Sequence, residues 1–299
     1  MVAPRVMPEL PEVETVRRGL VRWVEGARID KVTLNRKDLR FPFPPGFAKT
    51  LESNTVTVVG RRAKYLLFGL SNGWTWLSHL GMTGGYRFAD RTFKEPSRYY
   101  EPTIDEKHDH VVLELTHPKE GKLTLIYSDA RRFGFMDLFR REEDSPHLAG
   151  LGPEPLSNQF SAEEMAERFG GKSAPMKAAL LDQRVVAGLG NIYVSEALHR
   201  AHILPTRPAG TLVLKSGKPS ARLELLAKGV RTVLEEAIEA GGSTLRDFRG
   251  ADGLSGYFQH RFAVYDREGE PCPTPGCRGI IRRIVQSGRS TYFCPVCQK

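Results

Sequence analysis

The sequence predicts an α+β fold: an N-terminal helix, an antiparallel β-sandwich, a helical region and a C-terminal β-hairpin held by cysteines. Three observations predict it. Short strand-like runs follow one another without intervening helices to about residue 140, helical periodicity dominates from 161 to 240, and all four cysteines fall within the last 28 residues. These changes of texture divide the chain at 7–150, 151–258 and 259–299, with the Gly and Pro cluster of 150–156 as the first linker.

The first element is a helix in "PELPEVETVRRGL". Pro11 suits a first helical position, Glu12 and Glu14 favour the positive end of the helix dipole, and Val13, Val16, Leu20 and Trp23 fall on one face. The strand-like runs follow in "VTVVGRRAKYLLFGL", "GWTWLSHLGM", "HVVLELT", "KLTLIYSD" and "FGFMDLFR", separated by Gly, Asn, Asp and Pro. Helical patterns come next in "SAEEMAERF", "APMKAALLDQ" and "NIYVSEALHRA", then in a long segment from Ser220 to Ala240 that Gly241 and Gly242 end. "GGSTLRDFRGADGLSGYF" reads as a loop.

The last element carries the cysteines. Cys272 and Cys277 form one pair, Cys294 and Cys297 another, and sixteen residues join them. The joining segment reads as two strands about the turn "QSG", which brings the pairs into a tetrahedral four-thiolate site. A segment this short has too little core to fold without metal coordination, so one structural Zn2+ is expected. A closed site of this kind leaves no position for substrate. From Pro271 to Lys299 there are five basic residues and no acidic one, which suits a phosphate-binding hand; the alternative is a solvated basic face.

A hydrophobic fraction of 40% with 26% charged residues excludes disorder over most of the chain. The formal net charge of +9 favours a polyanionic partner. No apolar run reaches the roughly 20 residues that span a bilayer, and the start lacks a signal-peptide core. No membrane partner is expected, and the cytoplasm is the expected compartment.

Taken in order, "PELPEVETVRRGL", "RRAKYL", "HLGMTG", "KHDHV", "DARRFG", "LGPEPL", "GLGNIYVSEAL", "GGSTLRDF" and the cysteine hairpin closely resemble the bacterial formamidopyrimidine-DNA glycosylase family. The resemblance runs from Met7 to Lys299. The related endonuclease VIII branch, which prefers oxidised pyrimidines, typically has Gly where this chain has Leu10, so the purine branch is favoured.

The resemblance implies a helix-two-turn-helix domain after the sandwich, and excision of 8-oxoguanine and formamidopyrimidines from double-stranded DNA by a nucleoid-associated monomer. It implies Pro8 as the nucleophile, whereas these residues by themselves say only that a proline precedes a helix. A secondary amine attacking the sugar C1′ gives an iminium with no N–H proton to lose, and that lasting charge drives elimination of both flanking phosphates. Glu9 is implied as the main acid/base, Lys64 as a proton donor or phosphate-holding cation, and Arg289 as the arginine assigned to δ-elimination. Met82, Arg131 and Phe133 match residues that fill the gap left by an extruded base. His108, Lys172 and Asn191 match DNA contacts. "GLGNIY" lacks the third glycine of a dinucleotide fingerprint, and Asn191 is expected to cap a helix starting at Ile192, whose free N–H groups would hold phosphate. The loop from Gly242 to Tyr257 corresponds to a segment closing over the flipped base.

"MVAPRV" precedes the resemblance. If it stayed attached, the Pro8 nitrogen would be an amide without a lone pair for attack. The expectation is that translation starts at Met7 or that these residues are removed; the alternative is a zinc-dependent DNA-binding paralogue without chemistry.

Overall fold

The computed structural model describes residues 7–89, 105–243 and 256–299. The chain divides into two compact units: 1–149 with 240–257, and 150–239 with 258–299.

In the first unit α1 (Leu10–Val24) is followed by β1 (Arg28–Leu34), the short α2 (Phe47–Leu51) and seven further strands: β2 (Val56–Arg62), β3 (Tyr65–Leu70), β4 (Thr75–His79), β5 (Gly85–Phe88), β6 (Asp109–His117), β7 (Gly121–Ser128) and β8 (Phe135–Phe139). They form two four-stranded antiparallel sheets, in the orders β1-β6-β7-β5 and β2-β3-β4-β8. This is the expected sandwich.

Alternation explains the layering, since side chains point to opposite faces along a strand. In β3 Leu66, Phe68 and Leu70 are buried while Tyr65, Leu67 and Gly69 are only partly so. The buried set joins Trp76, Tyr86, Leu113, Leu125 and Tyr127 in one core, where Phe68 stacks on Trp76 with ring centroids 4.1 Å apart. Helix α1 adds Val13, Val16, Leu20 and Val24 to it. Trp23, expected on that face, is only partly buried, because Val24 completes the stripe instead. Helix α1 also starts one residue earlier than its proline suggests: Glu9 is the N-cap, Leu10 the first helical residue and Pro11 the second. The run from Val56 to Leu70 is a hairpin whose turn is Ala63 and Lys64, with Ala63 in a left-handed conformation at φ 51°. Lys64 is therefore a turn residue rather than a strand residue.

In the second unit α3 (Ala162–Phe169), α4 (Met176–Leu181), α5 (Asn191–Arg200) and α6 (Ala221–Glu239) occupy the four expected helical stretches. The Ser161 hydroxyl caps α3 by accepting the Glu164 N–H at 3.2 Å. The paired bonds from Arg200 to Glu236, 2.9 and 2.6 Å, join α5 to α6. Glu196 on α5 is fully buried and accepts N–H groups of Ala263, Val264 and Tyr265 at 2.9, 3.0 and 2.9 Å. Burial raises its carboxyl, and those three donors and Arg200 counter the rise. The chain ends in the antiparallel hairpin of β9 (Arg282–Gln286) and β10 (Arg289–Phe293). Its turn is Ser287 and Gly288, at φ 49° and 72°. Among the described residues no helix is long and apolar enough to cross a membrane.

Candidate active site and nucleic-acid contacts

The start of α1 is built by two carboxylates in a capping box, the reciprocal arrangement that satisfies orphan helix donors. The Glu9 side chain accepts the Glu12 N–H, and Glu12 Oε2 accepts the Glu9 N–H at 2.9 Å. Pro8, Glu9 and Glu12 are all buried. Glu12 Oε1 takes the N–H and hydroxyl of Ser243 at 2.8 and 2.9 Å. Gly242 passes so close at φ 82° that a Cβ there would lie 3.1 Å from the same oxygen. Glu12 thus fixes the residue after Pro8 and anchors the chain where the expected closing loop begins. Of that loop, 244–255 lie outside the described residues, as do 1–6.

The hairpin turn bearing Lys64 is tied to the same helix. Arg61 donates to the Ala63 carbonyl at 2.8 Å and to Glu14 on α1 at 3.2 Å. Glu14 also accepts from Arg17 at 2.7 and 2.9 Å and from Arg18 at 2.9 Å. Burial would raise the Glu14 carboxyl, but the hydrogen bonds from Arg17 and Arg18 and the charges of Arg17 and Arg61 lower it to about 2. His79, at the end of β4, is pushed down to about 3 by burial first and then by Lys64, Arg40 and His147. It is neutral at pH 7, so its Nδ1 accepts the Gly81 N–H at 3.1 Å.

Met82, Arg131 and Phe133 stand on two loops that the structure joins. Arg131 lies over the exposed Phe133 ring, 4.6 Å from its centroid. Met82 is half-buried. Its neighbour Thr83 donates to Asp129 Oδ1 at 2.5 Å and accepts the Arg131 N–H at 3.0 Å. His108 sits in a 3-10 turn (Glu106–His108), and its carbonyl accepts the Asp129 N–H at 3.0 Å.

In the second unit Asn191 departs from its expected capping role. It is the first residue of α5 and Gly190 is the N-cap, without a side-chain cap bond. The Asn191 amide instead donates to the Ser290 carbonyl at 3.0 Å, and its Oδ1 is buried with no partner among the described residues. The fully buried Lys177 of α4 donates to that carbonyl at 2.8 Å and to Thr291 Oγ1 at 2.5 Å. Both side chains therefore clamp the strand that begins with Arg289, which is exposed. Lys172 is exposed in the loop after α3, where its carbonyl accepts the Gly210 N–H at 2.8 Å.

The four cysteines are free thiols whose Sγ atoms lie within 4.8 Å of one another. Cys272 and Cys297 are 3.7 Å apart, Cys277 and Cys294 3.6 Å. A tetrahedral zinc site with bonds of about 2.3 Å has sulfur–sulfur edges of about 3.8 Å, so the cluster fits a metal-binding site. His199 Nε2 borders it, 3.2 Å from Thr274 Oγ1 and 3.5 Å from Cys272 Sγ.

Three family models match in chain order: the formamidopyrimidine-DNA glycosylase N-terminal domain over residues 7–136, its H2TH domain over 151–249, and the zinc finger found in FPG and IleRS over 269–299. The chain belongs to the formamidopyrimidine-DNA glycosylase family. It is 57% identical over 297 residues to the formamidopyrimidine-DNA glycosylase of Rhodopseudomonas palustris strain BisA53, covering 98% of this chain and 100% of the relative. Among solved structures it is similar to MutM (Fpg) from Thermus thermophilus, with 42% identity, TM-score 0.78 and coverage of 97% of this chain and 98% of that one. It is similar also to Lactococcus lactis Fpg in complex with DNA containing an abasic site, with 34% identity, TM-score 0.80 and coverage of 98% and 100%.

Glu12, Asp129, Lys177 and Glu196 were not singled out as anchors by sequence reasoning. For Glu12 a signal existed, the three-residue spacing of a capping box after Glu9. The partners of the other three lie on different elements, which no local pattern reports.

Proposed function

We infer that the chain is a DNA repair enzyme that excises oxidised purines from duplex DNA and then cleaves the abasic site. The observation that carries this is the buried start of α1, where Pro8 precedes a Glu9 fixed by Glu12. With Pro8 as the free terminus, its nitrogen bonds to the sugar C1′ while the bond from C1′ to the base breaks. Glu9, beside the nucleophile, moves the protons that let the sugar ring open to an iminium. The cation acidifies the neighbouring sugar carbon, and loss of that proton expels one phosphate. A second elimination expels the other. Lys64 supplies the proton or cation for the first and Arg289 for the second.

Met82, Arg131 and Phe133 fill the space vacated by the extruded base, and His108, Lys172 and Asn191 contact the strands. Cys272, Cys277, Cys294 and Cys297 would hold one structural Zn2+, which supplies folding free energy to the hairpin bearing Arg289. The segments 7–150, 151–258 and 259–299 serve respectively as catalytic domain, helix-two-turn-helix domain and zinc finger. One lesion needs one copy, so the enzyme works as a monomer, in the cytoplasm at the nucleoid.

The test is reductive trapping. Protein beginning at Pro8 is expected to be captured on 8-oxoguanine duplex by borohydride, with the adduct mapped to Pro8. An adduct on a lysine sinks the mechanism.

A further inference from the structure

We propose that Asp129 is a positioning residue, which with Thr83 locks the Met82 loop and the Arg131–Phe133 loop into one wedge that enters the duplex as a unit. The proposal rests on the reading that these three residues fill the gap. Asp129 is fully buried, and both its oxygens are used. Oδ1 accepts the Thr83 hydroxyl at 2.5 Å and the Arg131 N–H at 3.3 Å; Oδ2 accepts the Gly134 N–H at 2.8 Å and the Tyr127 hydroxyl at 3.4 Å. Four donors from three segments converge on one carboxylate. Thr83 closes the circuit by accepting the Arg131 N–H.

The backbone is shaped for the same junction. A Cβ at Gly81, which has φ 64°, would fall on the backbone of Phe133 and Gly134, and a Cβ at Gly84 or Gly134 would fall on the Tyr127 hydroxyl. The two loops therefore touch through glycine, directly above Tyr127. Burial first, and then the Asp129 charge, holds the Tyr127 phenol well above the ordinary range, so it remains a donor.

A wedge that opens stacked bases must not yield when it meets them. Met82 and Phe133 belong to separate loops, and neither loop has regular structure at the wedge residue. The carboxylate makes their spacing a property of the folded protein, so no ordering is left for the moment of insertion. An asparagine cannot substitute, since one of its two ends would present N–H groups to donors.

The test uses the enzyme beginning at Pro8 with two duplexes, one containing 8-oxoguanine and one an abasic site that has no base to extrude. A 2-aminopurine opposite the lesion reports wedge entry by its fluorescence rise. Asp129→Asn and Thr83→Val are expected to shift the ratio of rates on the two duplexes about 10- to 100-fold against the oxidised base. The fluorescence rise should fall with it, and Thr83→Ser, which keeps the hydroxyl, should restore both. Equal losses on both duplexes with a lowered Tm would overturn the proposal in favour of a general role in folding. Fluorescence lost in Met82→Ala and Phe133→Ala but kept in Asp129→Asn would overturn the role of Asp129 and leave the gap-filling reading intact. Fluorescence kept in Met82→Ala and Phe133→Ala would overturn that reading as well.

Discussion

Glu12 and Glu14 stand two residues apart on α1. Glu12 accepts the Glu9 N–H and the two donors of Ser243, whereas Glu14 is ringed by Arg17, Arg18 and Arg61. The Glu14 carboxyl is lowered from 4.5 to about 2, so folding favours its charged form. Its stabilisation is complete above the unfolded value and is lost as pH falls from about 4.5 through about 2. Glu14→Gln is therefore expected to cost about 1–2 kcal/mol at pH 7, less than the full shift implies because solvent screens part of the cluster. The difference between variant and parent should shrink as pH falls from about 4.5 and vanish only below about pH 2 in urea titrations, and a constant difference across pH would contradict the charge argument. At Glu9 the expectation concerns chemistry. Glu9→Gln should keep DNA affinity and lose about 10²- to 10⁴-fold in base excision, as measured by single-turnover product formation.

At the scale of elements, the longer strands and helices were legible because periods of 2 and 3.6 are local properties of the chain, whereas β1, the short α2 and β5 lay outside the runs read from the sequence. The β2–β3 turn was less so: Ala63 takes its left-handed conformation where Arg61 holds its carbonyl, and Arg61 is itself held by Glu14 in another element. Asn191 shows the same limit, since the Ser290 carbonyl that takes its amide lies 99 residues away. The cysteine hairpin was legible because metal ligation imposes spacing on the sequence itself. Two outcomes test that element. Cys294→Ser is expected to lose metal and DNA affinity while the β-sandwich keeps its near-ultraviolet circular dichroism, because its core is its own. Full metal content and affinity in that variant would count against a folding role for the metal. Arg289→Ala should weaken DNA binding and lower the slope of log K against log salt by about 0.9, the effect of one phosphate contact. Equal slopes would remove Arg289 from the phosphate contacts.

For the whole molecule the decisive variable is where the chain starts. The family match begins at residue 7, one residue before Pro8. The N-terminal domain model leaves the first six residues aside. Acylated by Met7, the Pro8 nitrogen is an amide whose lone pair is delocalised into the carbonyl, and it cannot form an iminium. The 299-residue form is thus expected to bind DNA and to give no covalent adduct with borohydride. The form beginning at Pro8 should give one, and both should show similar affinity for an unreactive abasic-site analogue. Intact mass of the protein purified from its native host should then report a chain starting at Pro8. Trapping by the full-length form, with its mass confirmed, would move the nucleophile away from Pro8 and leave the buried Glu9–Glu12 pair as an element of structure alone.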